Sequence, residues 1–381
     1  MSGAARLRLS GGPGRSGVTR WAGADRIAAA TPAHRDRTID ALRAVAILGV
    51  VLGHWLVSAL VSDPAQPADV HGASPLGETP ALAPATWLFE TLGPFFFAGG
   101  YAAARSIRGR AFRPWFGTRF VRLGRPVVVL AAVWLPAMLL LRVIGAPEST
   151  RHVVRSLVTH PLWFLLVFLL LTALTPLLRA AVLRHRTWTA APLVALVALG
   201  DLLHLGSGTT PVGWAVPYVL GIALAEGVLP RRAGAVLAAA GATAMAALVL
   251  GLGYPASAVG VPGAGRSNLD PPSLFALALA AVQIGLFLLI RGRLAGWLRR
   301  PPVWAPVVLL NVFAMTVFCW HQSALLLTSF GGLLVGRLPG LLDEPSGWWP
   351  VHRLLWLPVF AAVLIALCSA FHRLESARRR P

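Results

Sequence analysis

RTIDALRAVAILGVVLGHWLVSALV, residues 37–61, has the length and the apolar composition of a membrane helix. Asp40 and Arg43 lie in its first two turns, close to the membrane interface. His54 lies eleven residues beyond Arg43, a helical rise of roughly 16 Å that places the imidazole past the middle of the hydrocarbon core. Ionisable groups at that depth are costly, and they usually have a function or a polar partner. His54 is therefore either a reactive group or a histidine that hydrogen-bonds to a neighbouring helix.

The composition is that of a polytopic membrane protein. Of the 381 residues, 56% are hydrophobic and 13% are charged, and the mean hydropathy is +0.69. The formal charge of +20 comes from arginine, since the sequence contains no lysine. Such a charge suggests a nucleic-acid partner in a soluble protein, but the positions of the arginines give a better explanation, and we expect no nucleic acid. Cys319 and Cys368 lack the spacing of a disulfide framework or a zinc site, so we expect no metal.

Ten apolar runs predict membrane spans. They cover residues 38–61, 85–105, 125–145, 160–179, 189–204, 211–229, 233–252, 272–291, 307–333 and 352–372. Of the 34 arginines, 28 fall in one alternating set of connecting segments, which includes both chain ends. This asymmetry follows the positive-inside rule for an even number of spans with both termini in the cytoplasm. The sequence thus predicts an all-α bundle of about ten transmembrane helices in the plasma membrane. The predicted parts are a disordered Arg/Gly-rich tail at 1–36, a membrane domain at 37–372 and a basic tail at 373–381.

Further polar residues lie within the predicted spans. Glu90 lies at a depth comparable with that of His54, and a carboxylate beside an imidazole raises its basicity. The alternative is that Glu90 faces external water. In the ninth span, His321 is followed by Gln322, and Asn311 lies two to three turns away. Because unsatisfied polar groups are disfavoured in lipid, such residues on several spans predict one polar cavity.

The segment before the third span is rich in arginine, with seven between residues 105 and 125. Arg119, Arg122 and Arg125 are spaced by three, which places them on neighbouring turns of a helix. Guanidinium groups clustered in this way make bidentate contacts with phosphate. The cluster therefore predicts binding either of an anionic lipid headgroup or of a phosphorylated cofactor such as coenzyme A.

Several short motifs resemble those of the membrane acyltransferase-3 family. Arg43 and His54, with ten residues between them, are similar to the family's first-span signature, and Arg119-Phe-Val-Arg122 is similar to its Arg–x–x–Arg motif. The other resemblances are Pro94-Phe-Phe-Phe with Gly99-Gly100-Tyr101, Leu162-Trp163-Phe164-Leu165, and Trp320-His321. The motifs occur in family order over residues 36–372.

This resemblance implies an integral membrane O-acyltransferase. Such an enzyme takes an acyl group, usually acetyl from acetyl-CoA at the cytoplasmic side, and transfers it to a hydroxyl of a carbohydrate or a related acceptor. By the same resemblance, His54 is essential for transfer, and Arg43, Arg119 and Arg122 serve the acyl-CoA donor. The acidic Glu90 departs from the family pattern, so its role is inferred from the residue alone.

Two functions are compatible with these residues. In the first, His54 is the general base of acyl transfer or carries the acyl group transiently. Glu90 and His321 are further catalytic residues, and Arg125 joins the donor-binding arginines. In the second, a proton-coupled membrane transporter uses the same two histidines and Glu90 as a relay, but it does not require the arginine motifs. Polysaccharide, lipid-linked sugar, peptidoglycan and a glycosylated small molecule fit the sequence equally well as acceptors.

Overall fold

The structure, a computed structural model, describes residues 23–32, 35–263, 265–336 and 338–375, and it is predominantly helical. The α-helices are α1 (23–29), α2 (Arg37–Val57), α3 (Pro75–Glu78), α4 (Thr86–Phe89), α5 (Leu92–Ile107), α6 (Phe112–Val143), α7 (Glu148–Thr159), α8 (Leu162–Ala173), α9 (Thr175–His185), α10 (Ala190–Leu202), α11 (Thr210–Ala225), α12 (Ala233–Gly251), α13 (Leu274–Trp297), α14 (Pro301–Val312), α15 (Ala314–Gly332) and α16 (Trp349–Glu375). Short 3₁₀ helices cover Pro80–Ala85, Arg186–Thr189 and Ser207–Thr209. The strands β1 (Ala59–Ser62) and β2 (Val70–Ala73) pair antiparallel.

The two predicted tails lie mostly outside the described residues. Of the tail predicted at 1–36, residues 23–29 form α1. After α1, Thr31 Oγ1 accepts a hydrogen bond of 2.7 Å from the indole of Trp304 on α14. This part of the tail is therefore folded against the bundle. Of the tail predicted at 373–381, only the first three residues are described, and they complete α16.

Among the described residues, six helices are long and apolar enough to cross a membrane, or seven if the bent pair of α14 and α15 counts as one span. The six are α2, α6, the α7–α8 pair, α12, α13 and α16. The helices α5 and α11 have 16 residues each, a length of about 24 Å that falls short of the ~30 Å core. The chain is a multi-pass membrane protein. The number ten stays a prediction, as does the cytoplasmic position of the termini.

Three predicted spans differ in shape from the helices that form. The run at 85–105 is interrupted between α4 and α5. The run at 307–333 is broken at Phe313, where α14 and α15 enclose a bend of 74°. The run at 125–145 is part of a longer helix, α6, which has 32 residues and begins at Phe112, so the arginine cluster lies within a helix. Hydropathy locates apolar segments, but it does not mark breaks inside them.

Pro94 explains the interruption of the second span. A proline has no N–H to donate to the carbonyl four residues earlier, and its ring crowds that carbonyl. The carbonyl concerned belongs to Glu90, and Gln283 Nε2 on α13 donates to it at 2.7 Å. Gln283 also donates to the carbonyl of Trp87 at 2.9 Å. A neighbouring helix thus satisfies the backbone of the break, as a membrane interior requires.

A β-hairpin replaces the end of the predicted first span. Ser58 takes an extended conformation (φ −83°, ψ 98°) directly after α2, and the chain continues as β1. Ser62 N donates to Leu342 O at 3.0 Å, and Val70 N donates to Thr150 Oγ1 at 2.8 Å. The sequence of β1 is mostly apolar, and so short an apolar run does not distinguish a strand from the end of a helix. The all-α prediction therefore missed this small sheet.

The helices α5 and α11 cross in direct backbone contact. A Cβ atom on Gly100 would lie 2.0 Å from Tyr218 O, and one on Gly221 would lie 1.9 Å from Phe97 O. Only glycine permits this approach at both positions. The crossing fixes α5, and with it the break at Glu90, relative to the rest of the bundle.

Helices α2 and α6 begin, and α5 and α13 end, on one side of the bundle, which is called here the arginine side. Polar contacts join the helix ends on this side. Asp36 Oδ2 accepts from Arg291 NH2 at 2.6 Å and from Tyr101 OH at 2.9 Å. Burial acts to raise the pKa of Asp36, but hydrogen bonds from Thr38 and Tyr101 and the charge of Arg291 outweigh it and hold the pKa below its ordinary value of 3.8. The opposite side, where α2 ends and the hairpin lies, is called the hairpin side.

Candidate active site

His54, in the last turn of α2, contacts two side chains of α15. Its Nδ1 lies 3.2 Å from His321 Nε2 and 2.8 Å from Gln322 Nε2. The two imidazole rings are inclined by 65°, with their centroids 5.0 Å apart. The neighbouring Trp55 donates from Nε1 to His321 O at 2.9 Å, which fixes α15 against α2. The structure thus brings His54 and His321 together, although they were predicted from separate spans.

The hydrogen bonds around His321 assign the proton on His54. His321 Nδ1 lies 2.6 Å from Phe318 O and must donate to it, so Nε2 of the neutral ring is an acceptor. His54 Nδ1 therefore carries the proton and donates to it. The Gln322 atom placed 2.8 Å from His54 Nδ1 is Nε2, which can only donate. Exchanging the nitrogen and oxygen of this amide, which have nearly the same shape, puts Oε1 there as an acceptor, and Oε1 otherwise has no partner among the described residues. In the described residues His54 Nε2 makes no hydrogen bond, so it has a free lone pair.

Two cavities meet at His54. The first, called the apolar cavity, has a volume of about 320 Å³ and is lined mostly by hydrocarbon, including Val50 and Phe318. The second, on the hairpin side, has a volume of about 1010 Å³ and apolar and polar side chains in its lining, with His71, Ser156 and Asp270 among the polar ones. It is called the polar cavity because it is the more polar of the two. His54 lines both. Its free Nε2 is therefore the ring nitrogen available to molecules bound there.

Arg43 lies on the arginine side of α2, and polar groups of the protein surround it. Its Nε donates to Asn311 Oδ1 at 2.5 Å, and its NH2 lies 3.6 Å from Asp40 Oδ1. Asn311 Nδ2 donates in turn to the carbonyls of Asp40 and Val307, each at 2.8 Å. The bend after α14 places this asparagine against the start of α2. Arg43 is thus held by α14.

The other predicted arginines lie on α6. Arg119 NH2 donates to Ser106 Oγ at 2.5 Å, and its guanidinium lies 4.6 Å from the centre of the Trp115 ring. Arg119 and Arg122 are close enough to Arg43 to interact electrostatically with it. Arg122 and Arg125 are exposed, and within the described part of the chain neither makes a hydrogen bond or an ion pair. The structure therefore groups three of the four arginines, and Arg125 lies one turn further along α6.

A protein-family model described as an acyltransferase domain, that of acyltransferase family 3, matches residues 36–373. The chain belongs to acyltransferase family 3. The match spans nearly the whole chain, and it confirms the resemblance drawn from the motifs. No curated protein and no solved structure matches the chain.

Glu90 of this family 3 acyltransferase lies at the break between α4 and α5. It lines the apolar cavity together with His54, but no hydrogen bond joins the two described side chains. Instead, Glu90 Oε1 accepts from Leu92 N at 3.1 Å. His321 and Gln322 occupy Nδ1 of His54, the imidazole whose basicity Glu90 was predicted to raise. The structure brings Glu90 to the cavity but not to the imidazole, so its catalytic role stays a prediction.

Arg353 on α16 is a site residue that the sequence reasoning missed. It is completely buried and lines the apolar cavity. Its NH1 donates to Gly340 O at 2.9 Å, and its NH2 donates to Ser58 O. Since Ser58 N donates to His54 O at 2.9 Å, Arg353 holds the end of the helix turn that carries the imidazole. The signal that could have found it is an arginine inside a predicted membrane span.

Two amides complete the site of the acyltransferase. Gln322 and Asn311 stand out in the sequence as intramembrane polar residues, yet neither was assigned a partner. The structure pairs Gln322 with His54 and Asn311 with Arg43. Within residues 23–32, 35–263, 265–336 and 338–375, no three His, Cys, Asp or Glu side chains form a group that could hold a metal ion.

Proposed function

We propose that the protein transfers an acyl group, acetyl by the family resemblance, from acyl-CoA to a hydroxyl of a carbohydrate or related acceptor, with His54 as the general base. One observation carries the proposal. His54 has one ring nitrogen bound by α15 and the other free where two cavities meet. A general base needs a fixed tautomer and an accessible lone pair, and this arrangement supplies both.

The chemistry proceeds in one addition and one elimination. His54 Nε2 removes the proton from the acceptor hydroxyl while the hydroxyl oxygen attacks the thioester carbonyl carbon. The tetrahedral intermediate then expels the coenzyme A thiolate, and the proton from His54 passes to that sulfur. The products are the acyl ester and free coenzyme A. Donation from Nδ1 to His321 stabilises the imidazolium between the two steps.

The arginine side is the proposed donor entrance and the hairpin side the proposed acceptor entrance. Arg43, Arg119 and Arg122 form a cationic group near the start of α2, and guanidinium groups bind the phosphates of coenzyme A well. Between Arg43 and His54 the helix rises roughly 16 Å, a distance that the extended pantetheine arm spans. The acyl group would thus cross the membrane while the nucleotide stays in the cytoplasm.

The test is acyl transfer by purified protein in lipid nanodiscs. We expect acetyl-CoA to be cleaved in the presence of an acceptor extract, and we expect His54→Ala to lose on the order of 10²–10⁴ in turnover. The matched control is His185→Ala, which changes an exposed histidine at the end of α9. Full turnover in His54→Ala would remove the proposal. A protein that moves protons across the membrane and cleaves no thioester would be a transporter instead.

A further inference from the structure

The side chains that line the apolar cavity are mostly hydrocarbon. Five lining residues are polar: His54, Thr86, Glu90, His160 and Arg353. Thr86 donates to a backbone carbonyl and accepts from a backbone N–H. Glu90 accepts from a backbone N–H, and Arg353 donates to two backbone carbonyls. Thr86 is therefore satisfied within the protein, and Glu90 uses one carboxylate oxygen, Oε1, in its bond. Arg353 Nε and the nearby Trp349 Nε1 make no hydrogen bond among the described residues. His54 and His160 line both cavities. A ligand in the cavity meets mainly apolar side chains.

The cavity begins beside the reacting nitrogen and continues away from it. Val50, one helical turn from His54 toward the arginine side, forms part of its wall, with Phe164 and Phe318 on neighbouring helices. Leu82 lines it on the hairpin side. A group joined to a carbonyl carbon at His54 can therefore extend directly into hydrocarbon surroundings.

The volume exceeds the need of an acetyl group. An apolar cavity of about 150 Å³ binds benzene, which has six carbons. At about 320 Å³ the apolar cavity has roughly twice that volume. It therefore accommodates a chain on the order of ten carbons, whereas the single methyl of acetyl would leave most of it unfilled.

We infer that the apolar cavity binds the hydrocarbon chain of the donor, so that the transferred group is longer than the acetyl group that the family resemblance implies and is a medium-chain acyl group of about four to ten carbons. This inference rests on the proposed function and names the donor class. The acceptor does not compete for this space, because its hydroxyl groups match the polar cavity, with His71, Ser156 and Asp270 among its lining residues. Each substrate thus has a cavity of its own polarity, and the two meet at His54.

The experiment measures binding of acetyl-, butanoyl-, hexanoyl-, octanoyl- and decanoyl-CoA to the protein in lipid nanodiscs by calorimetry. Each buried methylene should lower Kd about fourfold until the cavity is full. Val50→Phe narrows the cavity and should move the optimum to a shorter chain. The matched control, Val45→Phe, lies on the same helix at a position 62% exposed and should leave the series unchanged. Leu82→Trp narrows the cavity from the hairpin side and tests the same point if Val50→Phe does not fold.

The outcomes separate this inference from the proposed function. Equal affinity for all five donors, together with acetyl transfer that depends on His54, would overturn the inference alone. Absence of transfer from every donor would overturn the proposed function. If Val50→Phe and Leu82→Trp weakened binding of octyl glucoside relative to methyl glucoside but left the donor series unchanged, the cavity would belong to the acceptor, and the inference would be wrong.

Discussion

The two ends of α2 carry Arg43 and His54, the pair of the family's first-span signature, and they have different surroundings. At the arginine side, Arg43 contacts Asn311 and Asp40, and the amide of Asn311 is itself hydrogen-bonded twice to the backbone. At the hairpin side, His54 has one nitrogen held by α15 and the other open to two cavities. Arg43 therefore stabilises the packing of α14 against α2, besides any contact with a donor. Nε2 of His54, in contrast, makes no hydrogen bond among the described residues and is available for chemistry.

The largest effect is expected where His54 is held. His321→Phe keeps an aromatic ring but removes one of the two acceptors of the His54 Nδ1 proton, so the imidazolium keeps only the Gln322 amide oxygen as a stabilising partner. We expect kcat to fall on the order of 10²-fold, with little change in KM for acyl-CoA, because the arginines proposed to bind the donor lie at the other end of α2. Steady-state kinetics measure this split.

A double variant gives the control for that prediction. If His321 acts through His54, adding His321→Phe to His54→Ala should cause no further loss, because residues that act as a unit are non-additive. A further tenfold loss in the double variant would contradict the assigned role of His321.

The arginine side should show a smaller effect, divided between binding and stability. Arg122→Ala should raise KM for acetyl-CoA on the order of tenfold, since a lost hydrogen bond to a charged group costs roughly 1.5–3 kcal/mol. Its melting temperature should not change, because Arg122 is exposed and unbonded among the described residues. Arg43→Ala should both raise KM and lower the melting temperature, since it leaves Asn311 Oδ1 without a donor.

The donor analogue acetyl-pantetheine, which lacks the nucleotide phosphates, sharpens this test. Arg122→Ala should not change KM for the analogue, and the control Arg142→Ala, at the far end of α6, should change neither KM. Equal losses with both donors would show that Arg122 anchors lipid headgroups rather than the nucleotide.

The smallest effect concerns Asp36, the N-cap of α2 on the arginine side, whose carboxylate accepts hydrogen bonds from Thr38 N and Ile39 N. Because its folded pKa lies below the ordinary value of 3.8, the carboxylate stabilises the fold fully above that value and loses the contribution as pH falls through the folded pKa. Asparagine caps a helix as well as aspartate, so Asp36→Asn removes mainly the charge. We expect a melting temperature a few degrees lower near neutral pH, and a difference that shrinks as pH falls below 3.8 and vanishes once pH is below the folded pKa. A difference that persisted in acid would assign the effect to the cap geometry.

The sequence predicts most of the membrane helices and most residues of the candidate site, but not how those residues meet. The run at 233–252 corresponds almost residue for residue to α12, because no proline or buried polar group interrupts it. The contact between His54 and Gln322 depends on which face α15 turns toward α2, and the bend at Phe313 sets the direction of α15. Nothing in the local residue pattern specifies that bend, because no proline or glycine lies there. Arg353 escaped notice for a similar reason, since its partners are backbone carbonyls, which every sequence contains.

The backbone contact at Gly100 and Gly221 bears on how a coenzyme could enter the bundle. No layer of side chains separates α5 from α11 there, so neither helix can slide without a clash. By contrast, only three of the 32 residues of α6 are buried, namely Trp115, Pro126 and Leu130. Most of its surface faces lipid, which is fluid and does not oppose a small movement of the helix. Packing thus restricts movement of α5 and α11, whereas the lipid-facing side of α6 is little restricted. Helix α6 carries Arg119 and Arg122, which are proposed to bind the donor phosphates. We expect a cross-link between α6 and α15, which touch where Trp134 donates to Ser323, to slow turnover, and one between α5 and α11 to leave it unchanged.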